Sequence, residues 1–355
     1  MTLRYYVVRR LLLVVPTIIG LTLIVFILTH VGGDQRFLGE YINIHSPIPV
    51  AVQEQQLTQK FHLDQPVIVQ YFYWLSAFFH GDWGYTQTPI YSGPVSGAIS
   101  LFLPNTIVLA TLSSVLTVII GIPLGVWSAV KKNSLVDHAT RVFSFVGYSL
   151  PVYWLGLLLI IAFASPAICP CLNLFPVSGA VNISLTNGLS WYQGGISFPT
   201  HVLLIDSLIY GRFDIFADAL MHEVLPVVTL TFSIVASVIR VMRSSMQDTL
   251  NQEYIRTARA KGLPSSAVVN QHARRNALIP VLTLMGYTIA GLLGGVVLIE
   301  SIFNLPGIGY WTTQALLSGD IGGIMGGTVI FGLAFIFSNL VVDILYGYID
   351  PRIRY

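Results

Sequence analysis

The residues best suited to chemistry lie in a polar stretch, Gln252 to Pro280, which interrupts long apolar segments. This stretch carries five side chains that are cationic at neutral pH. They are Arg256, Arg259, Lys261, Arg274 and Arg275. Such cations break no bonds by themselves, but they pair with acids or helix C-termini of a partner and add specificity and on-rate. The stretch is therefore a candidate contact surface.

The first half of this stretch is expected to be a short helix. It has few helix breakers, and Leu250, Tyr254 and Ala258 recur at a spacing of four, which predicts one narrow apolar face. Gly262 tolerates a left-handed cap, and Pro264 cannot continue a helix. We therefore expect the helix to end at this turn.

A second helix is expected to follow the turn. Ser265 or Ser266 can accept a hydrogen bond from a free backbone N–H and start a helix that runs through His272. A basic hairpin of this kind has two interpretations, a docking element for another protein or a simple anchor on the cytoplasmic leaflet.

Other potentially reactive residues do not combine into a catalytic or metal site. Cys169 and Cys171 cannot complete a zinc tetrahedron alone, and a bridge between residues two apart is geometrically awkward. We expect these cysteines to be free or bonded to a partner. The sequence contains neither a paired His-Glu metal motif nor a Gly-x-Ser-x-Gly elbow. It also lacks a phosphate-binding Gly-x-x-x-x-Gly-Lys loop, so it cannot hydrolyse ATP alone.

The composition places the positively charged stretch in a membrane protein. Hydrophobic residues make up 54% of the chain and charged residues 10%, too few to cover its apolar surface in water. No basic cluster is interleaved with aromatic residues, so nucleic-acid binding is not predicted.

Six segments approach the roughly 20 apolar residues that a helix needs to cross a bilayer. They are Leu11–His30, Ile107–Ala129, Val142–Ala164, Leu220–Met242, Ala277–Ile299 and Ile321–Val342. The first segment lacks a convincing cleavage site and is interpreted as a retained span. Pro151 predicts a kink in the third. Small residues at a spacing of four in the sixth, Gly322 with Gly326 and Gly323 with Gly327, favour close helix packing over a substrate role.

The distribution of cations predicts that both termini are cytoplasmic. With the N-terminus inside, the inner segments hold fifteen of the 18 lysines and arginines, and only Arg36, Lys60 and Arg212 lie outside. The chain is then a multi-pass plasma-membrane protein with two long extracytoplasmic segments. The central parts of the six spans contain no ionisable residue, which argues against an ion-coupled secondary transporter or channel.

One run of the polar stretch resembles a known family signature. Tyr254-Ile255-Arg256-Thr257-Ala258-Arg259-Ala260-Lys261-Gly262-Leu263 is similar to the cytoplasmic EAA loop of ATP-binding-cassette importer permeases, in the form used by dipeptide and oligopeptide permeases. His272-Ala273-Arg274-Arg275-Asn276-Ala277 resembles its second half, with an extra arginine at 274. A further run, Glu300 to Gly309, is similar to the family's Glu-x-x-Phe-x-x-Pro-Gly-x-Gly signature.

The resemblance implies an all-α integral membrane protein with six transmembrane helices and the type I importer permease fold. It implies residues 1–106 as a first helix with an extracytoplasmic segment, and 107–355 as a permease core of five helices. Within that core it implies an extracytoplasmic insert at 165–219 and a coupling loop at 243–276. The insert is longer than its family counterpart, and we expect it to be an accessory elaboration rather than part of the gate.

The resemblance also implies the role of the polar stretch and the partners of the chain. The contact with the ATPase would be made by Tyr254, Arg256, Thr257, Ala258, Arg259, Lys261, Gly262, Leu263, Pro264, His272, Arg274 and Arg275. The partners would be a homologous second permease, one or two cytoplasmic ATPase subunits that bind the ATP, an extracytoplasmic substrate-binding protein and membrane lipid. The chain itself would hold no cofactor. The cargo would be di- or oligopeptides, with oligosaccharides or nickel as alternatives.

Overall fold

The computed structural model describes residues 3–30, 42, 47–165, 174–193 and 195–349. Cys169 and Cys171 lie outside these ranges. Helices dominate the described chain. They are α1 (Leu3–His30), α2 (Val50–Phe61), α3 (Val67–Phe79), α4 (Val95–Val130), α5 (Leu135–Ser149), α6 (Val152–Phe163), α7 (Ile183–Thr186), α8 (Leu203–Ile209), α9 (Phe213–Leu250), α10 (Glu253–Ala260), α11 (Ser265–Ala267), a π-helical segment (Val268–Ala273), α12 (Arg274–Phe303), α13 (Ile308–Ser318) and α14 (Ile321–Ile349).

Two short β-hairpins depart from the expected all-α architecture. β1 (Tyr85–Thr88) pairs antiparallel with β2 (Tyr91–Pro94), and β3 (Tyr192–Gln193) pairs with β4 (Ile196–Ser197). Both hairpins lie in the two segments predicted to be long and extracytoplasmic. The main architecture remains helical.

Three helices in the described chain are long and apolar enough to cross a membrane. They are Val95–Val130, Phe213–Leu250 and Ile321–Val341. The third predicted segment, 142–164, is broken where Pro151 predicts a kink, because α5 ends before Pro151 and α6 follows at a bend of 108°. This broken pair could supply one further span. The predicted first and fifth spans lie within α1 and α12.

Helix α4 starts earlier than the sequence indicates. Its first residue is Val95, so the proposed division between residues 106 and 107 falls inside a continuous helix. Val95, Ala98 and Phe102 are buried with Trp311 of α13, which extends the helix beyond the most apolar segment. Apolar packing therefore sets this boundary.

Helix α9 lies at the centre of the main hydrophobic core. Many of its side chains are buried along its 38 residues, including Val238 and Met242, which have no exposed surface. Two glycines of α4 let the helices approach closely. A Cβ at Gly121 would lie 2.7 Å from Val238 Cγ1, and one at Gly125 would lie 2.6 Å from Met242 Cβ.

The glycines of α14 also make close contacts. A Cβ at Gly323 would lie 2.6 Å from Ala315 Cβ, one at Gly326 would meet Val95, and one at Gly327 would meet Thr312. The preferred interpretation of this small-residue spacing, helix packing, is confirmed at these positions.

The described part of the insert forms a small packed unit. Trp191 and Leu203 bury their side chains against Ile215 and Ala219 in the first turns of α9. The carboxylate of Asp206 is fully buried and accepts hydrogen bonds from Ser197 Oγ at 2.6 Å and Thr200 Oγ1 at 2.7 Å. The insert therefore rests on the start of α9.

The aromatic helix α3 has two different faces. Tyr71 and Phe78 are buried with Phe26 of α1, and the rings of Tyr71 and Phe26 meet edge to face at 5.5 Å. Phe72 and Phe79 remain 61% and 67% exposed. One face belongs to the core, and the other presents aromatic rings outward.

The close approach of α4 and α9 generates a stability prediction. Replacing Gly125 with Val should lower the free energy of unfolding by about 1–3 kcal/mol, because the added carbons overlap Met242. Thermal unfolding of the full chain in detergent measures this. Gly20→Val is the control, since a Cβ at Gly20 meets nothing within 4 Å. Equal unfolding temperatures for the two variants would contradict the packing described.

Candidate functional site

Helix α10 forms the first half of the polar stretch, as predicted, but its buried face differs. Ile255 is fully buried and Ala258 is 7% exposed, whereas Tyr254 is 41% exposed and its hydroxyl accepts a 2.7 Å hydrogen bond from Asn276 Nδ2. The predicted apolar face through Leu250 and Tyr254 is wrong. Leu250 ends α9, and the extended Gln252 separates the two helices, so the spacing of four does not continue across them.

The turn after α10 confirms the predicted glycine cap. Gly262 has a φ of 78°, its N–H donates to Arg259 O at 2.9 Å, and Leu263 N–H donates to Ala258 O at 3.4 Å. This pair of hydrogen bonds is the Schellman arrangement, which closes a helix with a left-handed residue. The chain therefore reverses sharply at Gly262 and leaves Leu263 38% exposed.

The second helix begins as expected after Pro264 but without a serine cap. Pro264 itself occupies the cap position, and its carbonyl accepts from Ala267 N at 2.9 Å and Val268 N at 3.1 Å. Ser265 and Ser266 lie in the first turn and make no capping bond. The fixed φ of proline is already suited to this position, which explains why the serines are not needed.

This second helix is continuous with α12. A π-helical segment, Val268–Ala273, joins α11 to α12 with right-handed helical geometry at both junctions. Val268, Ala273 and Ala277 face the main core and have 1% exposure or less, while Arg274 and Arg275 are exposed. The extra arginine at 274 therefore does not disturb packing.

The exposed surface of this loop is positively charged. Arg256 Nη1 lies 2.8 Å from Glu253 Oε1 in an ion pair that is mostly solvent-exposed. In the part of the chain that the structure describes, no acid pairs with the other four cations. They are Arg259, Lys261, Arg274 and Arg275. His272 is half-buried in the π-helical segment, and Thr257 donates to Glu253 O at 3.1 Å.

The helix that leads into this loop is fixed by a buried carboxylate that the sequence did not reveal. Asp137, near the start of α5, is fully buried, and its Oδ1 lies 2.6 Å from Arg243 Nε on α9. Ser128 of α4 donates to the same oxygen at 2.7 Å, and Asn133 N donates to Oδ2 at 3.0 Å. One carboxylate thus joins α4, α5 and α9 at the end where the loop begins. The only sequence signal was an acid placed among inner-side cations.

A second buried carboxylate explains the signature from Glu300 to Gly309. Glu300 Oε2 accepts from Gly309 N at 2.8 Å and Tyr310 N at 3.0 Å, while Thr106 Oγ1 donates to Oε1 at 2.6 Å. Glu300 therefore caps the N-terminus of α13. A Cβ at Gly307 would collide with this carboxylate. Gly307 is therefore required to make room for Glu300, in addition to forming the tight Pro-Gly turn expected from the sequence.

Comparisons with known proteins agree with this architecture. The family model described as binding-protein-dependent transport system inner membrane component matches residues 121–355. The chain belongs to this family. The matched range includes the loop, the Glu300 cap and α9 through α14.

Individual relatives extend the similarity over nearly the whole chain. The dipeptide transport system permease protein DppB of Escherichia coli (strain K12) is 36% identical over 99% of this chain and 98% of the relative. The probable D,D-dipeptide transport system permease protein DdpB of the same strain is 38% identical over 96% and 94%. The oligopeptide transport system permease protein AppB of Bacillus subtilis (strain 168) is 35% identical over 99% of each. The chain is thus a membrane permease component of a binding-protein-dependent transport system.

The buried Asp137 generates a prediction for this permease. Asp137→Asn keeps the side-chain shape but leaves Arg243 without its counter-charge. Removing one partner of a buried pair costs about 3–5 kcal/mol. We expect a loss near the lower end of that range, because Arg243 keeps 21% side-chain exposure. Thermal unfolding and limited proteolysis near residue 251 measure the loss.

The matched control is Asp248→Asn, which removes an exposed carboxylate from the same end of α9. Its free energy of unfolding should stay within about 0.5 kcal/mol of wild type. If Asp137→Asn changed stability no more than this control, the carboxylate would not hold the three helices together.

Proposed function

We propose that this permease forms half of the translocation pathway of an ATP-driven importer for di- or oligopeptides. The observation that carries the coupling part of this proposal is the exposed turn at Gly262 and Leu263. The turn lies between α10, which packs Ile255 on the main core, and the helix that continues through the π-helical segment into α12. The peptide cargo is proposed from the names of the relatives, which are dipeptide and oligopeptide permeases. Oligosaccharides and nickel are the alternative cargoes within the same transporter class.

The turn has the properties that a mechanical contact needs. Closure of an ATPase dimer is a rigid-body motion, and a membrane domain responds to it only through an element seated in the ATPase surface. Leu263 offers an exposed apolar side chain, and Gly262 and Pro264 fix the direction of the chain around it. The fully buried Ile255 ties α10 to the core, so a force on the turn reaches α9 and α12.

The proposed contact residues form two groups, those that position α10 and those that are free to touch the ATPase. Ala258 is buried and Thr257 bonds to its own helix, so these two would position α10. The remaining residues would touch the ATPase. They are Tyr254, Arg256, Arg259, Lys261, Gly262, Leu263, Pro264, His272, Arg274 and Arg275.

The proposed complex contains a homologous second permease, one or two cytoplasmic ATPase subunits and an extracytoplasmic substrate-binding protein. The ATPase subunits bind the nucleotide, and this chain holds no cofactor. The family description, which names transport that depends on a binding protein, supports the general composition. Four exposed cations without an acid in the described chain favour an acidic patch on the ATPase.

We further propose six spans with both termini in the cytoplasm of a plasma-membrane protein. Helices α1, α4, α9, α12 and α14 supply five, and the bent pair α5 and α6 supplies the sixth. The cation distribution supports this orientation, because it places the loop at 243–276 on the same side as Lys131 and Lys132. The extracytoplasmic segments then carry both β-hairpins and the insert at 165–219. The core proposed at 107–355 includes the whole matched family range.

An ion-coupled carrier is the competing class. It normally places ionisable groups near the bilayer midplane. Glu300 is occupied by three hydrogen bonds as a helix cap, which favours a structural role for this carboxylate over ion binding.

The coupling role predicts the effect of two substitutions in the turn. Leu263→Asp removes an apolar contact worth roughly 1.5–3 kcal/mol when fully buried and adds a charge that must be desolvated. Gly262→Val opposes a φ of 78°, which a β-branched residue resists. Both variants should abolish ATP-driven dipeptide uptake in proteoliposomes that contain all subunits, while assembly with the second permease is retained.

Leu263→Met is the matched control, because a volume-conserving apolar substitution should preserve the contact and the uptake. Nickel and a maltooligosaccharide replace the dipeptide in parallel assays, and neither should stimulate ATP hydrolysis as the dipeptide does. Wild-type uptake by Leu263→Asp would reject the coupling role and favour the leaflet anchor. Uptake without ATP would favour the ion-coupled class.

The proposed orientation predicts the labelling of introduced cysteines. In a background with Cys169 and Cys171 replaced by Ser, cysteine is placed at Gln59 or at Ser266, which are both exposed. A membrane-impermeant thiol reagent applied to intact cells should label position 59 alone. Labelling of position 266 before the cells are opened would show that the loop lies outside the cell and would contradict the proposed topology.

A further inference from the structure

A cationic pocket lies between α5 and α9, apart from the loop at 252–280. Its volume is about 280 Å³, close to the lower end of small-molecule sites at about 300 Å³. Three arginines from the two helices line it, Arg141, Arg240 and Arg243, together with Ser144 and Tyr148. Neither the family description nor the relatives assign a role to this pocket.

The charges around this pocket do not cancel. Asp137 is the one acid that pairs with these arginines in the described chain, at 2.6 Å from Arg243 Nε and 3.3 Å from Arg141 Nη2. Arg240 has no acidic partner there, and its guanidinium carbon lies 4.8 Å from the ring centroid of Tyr148. Three cations against one anion leave a net charge of +2, which favours an anionic ligand.

A buried hydroxyl gives a second and independent indication of a ligand. Ser144 Oγ is buried and has no hydrogen-bond partner within the residues that the structure describes. A buried hydroxyl without a partner loses free energy relative to water, so an occupant that accepts its hydrogen bond would be stabilised. A ligand oxygen between Ser144 and the guanidinium of Arg240 would provide this acceptor.

The wall beside the pocket is apolar, which favours a lipid over a soluble anion as the ligand. Along α5, Val142, Phe145 and Tyr148 are 64%, 74% and 68% exposed. Such a surface suits acyl chains, while the arginines suit a phosphate. In the proposed orientation the pocket lies at the cytoplasmic leaflet, where anionic lipids gather and basic pockets between helices bind their headgroups.

We propose that this pocket binds the phosphodiester headgroup of an anionic phospholipid. The planar guanidinium of Arg240 pairs with the phosphate, and Ser144 donates to one of its oxygens. The acyl chains lie along Phe145 and Val142. Arg243 lies on α9 and also pairs with Asp137 of α5. The lipid would therefore contact the helix that leads into the coupling loop. The location at the cytoplasmic leaflet rests on the proposed orientation.

Native mass spectrometry of the full-length permease tests this proposal. The protein is released from nanodiscs of phosphatidylcholine mixed with phosphatidylglycerol, and the retained lipids are counted. Wild type should retain phosphatidylglycerol in preference to phosphatidylcholine. Arg240→Gln should weaken this retention about tenfold, the effect of one lost charge-assisted hydrogen bond.

Two further variants separate binding from folding and from general charge. Ser144→Ala should also weaken retention while leaving the unfolding temperature of the lipid-free protein unchanged, because the hydroxyl has no partner there. Lys131→Gln removes an exposed cation from the same membrane end outside the pocket and should retain lipid as wild type does. Equal losses in Arg240→Gln and Lys131→Gln would reduce the effect to surface charge and reject the site.

Other outcomes would reject the lipid in favour of another occupant. Equal retention of the two lipids by wild type would exclude a preference for the anionic lipid, because both lipids carry a phosphodiester. Saturable binding of soluble glycerol phosphate as tight as that of the lipid would assign the pocket to a free anion. If Arg240→Gln raised the KM for dipeptide uptake without changing lipid retention, the pocket would belong to the translocation pathway. Lipid retention requires neither ATP nor peptide, so its failure is distinguishable from failure of the proposed transport function.

Discussion

The close packing of α4 against α9 is the contact on which the rest of the structure depends. Gly121 and Gly125 bring the two backbones together, and Val238 and Met242 fill the space that side chains would otherwise occupy. In a lipid environment the hydrophobic effect does not drive helices together, so close contact between small residues supplies much of the attraction. This contact holds α9 as one continuous helix from the insert to the polar loop.

The continuity of α9 connects regions that are far apart in the chain. Its first turns form part of the small core around Trp191, and its last turns are joined to α4 and α5 by Asp137 and Arg243. Helix α10 then packs Ile255 on the same core that receives Val268. A displacement of the Gly262 turn would therefore be passed to packed helices rather than absorbed by a flexible loop.

Local sequence signals predicted the elements whose geometry depends on single residues. Gly262 and Pro264 predicted the reversal, Pro151 predicted a break, and the apolar segments predicted the long helices. The sequence did not reveal features that require distant residues to meet. The contact of Asp137 with Arg243 joins residues 106 positions apart, and that of Thr106 with Glu300 joins residues 194 positions apart. The buried face of α10 was missed for a related reason, since Gln252 resets the helical register after Leu250.

The proposed coupling role of the loop depends most directly on what Leu263 touches in the assembled transporter. A photo-reactive phenylalanine derivative at position 263, compared with the same residue at the exposed Phe79, identifies the neighbour after illumination of the complete complex. If this loop couples to the ATPase, position 263 should give a covalent product with an ATPase subunit and position 79 should give none. An intact complex in which position 263 forms adducts only with lipid would contradict the coupling role of this loop.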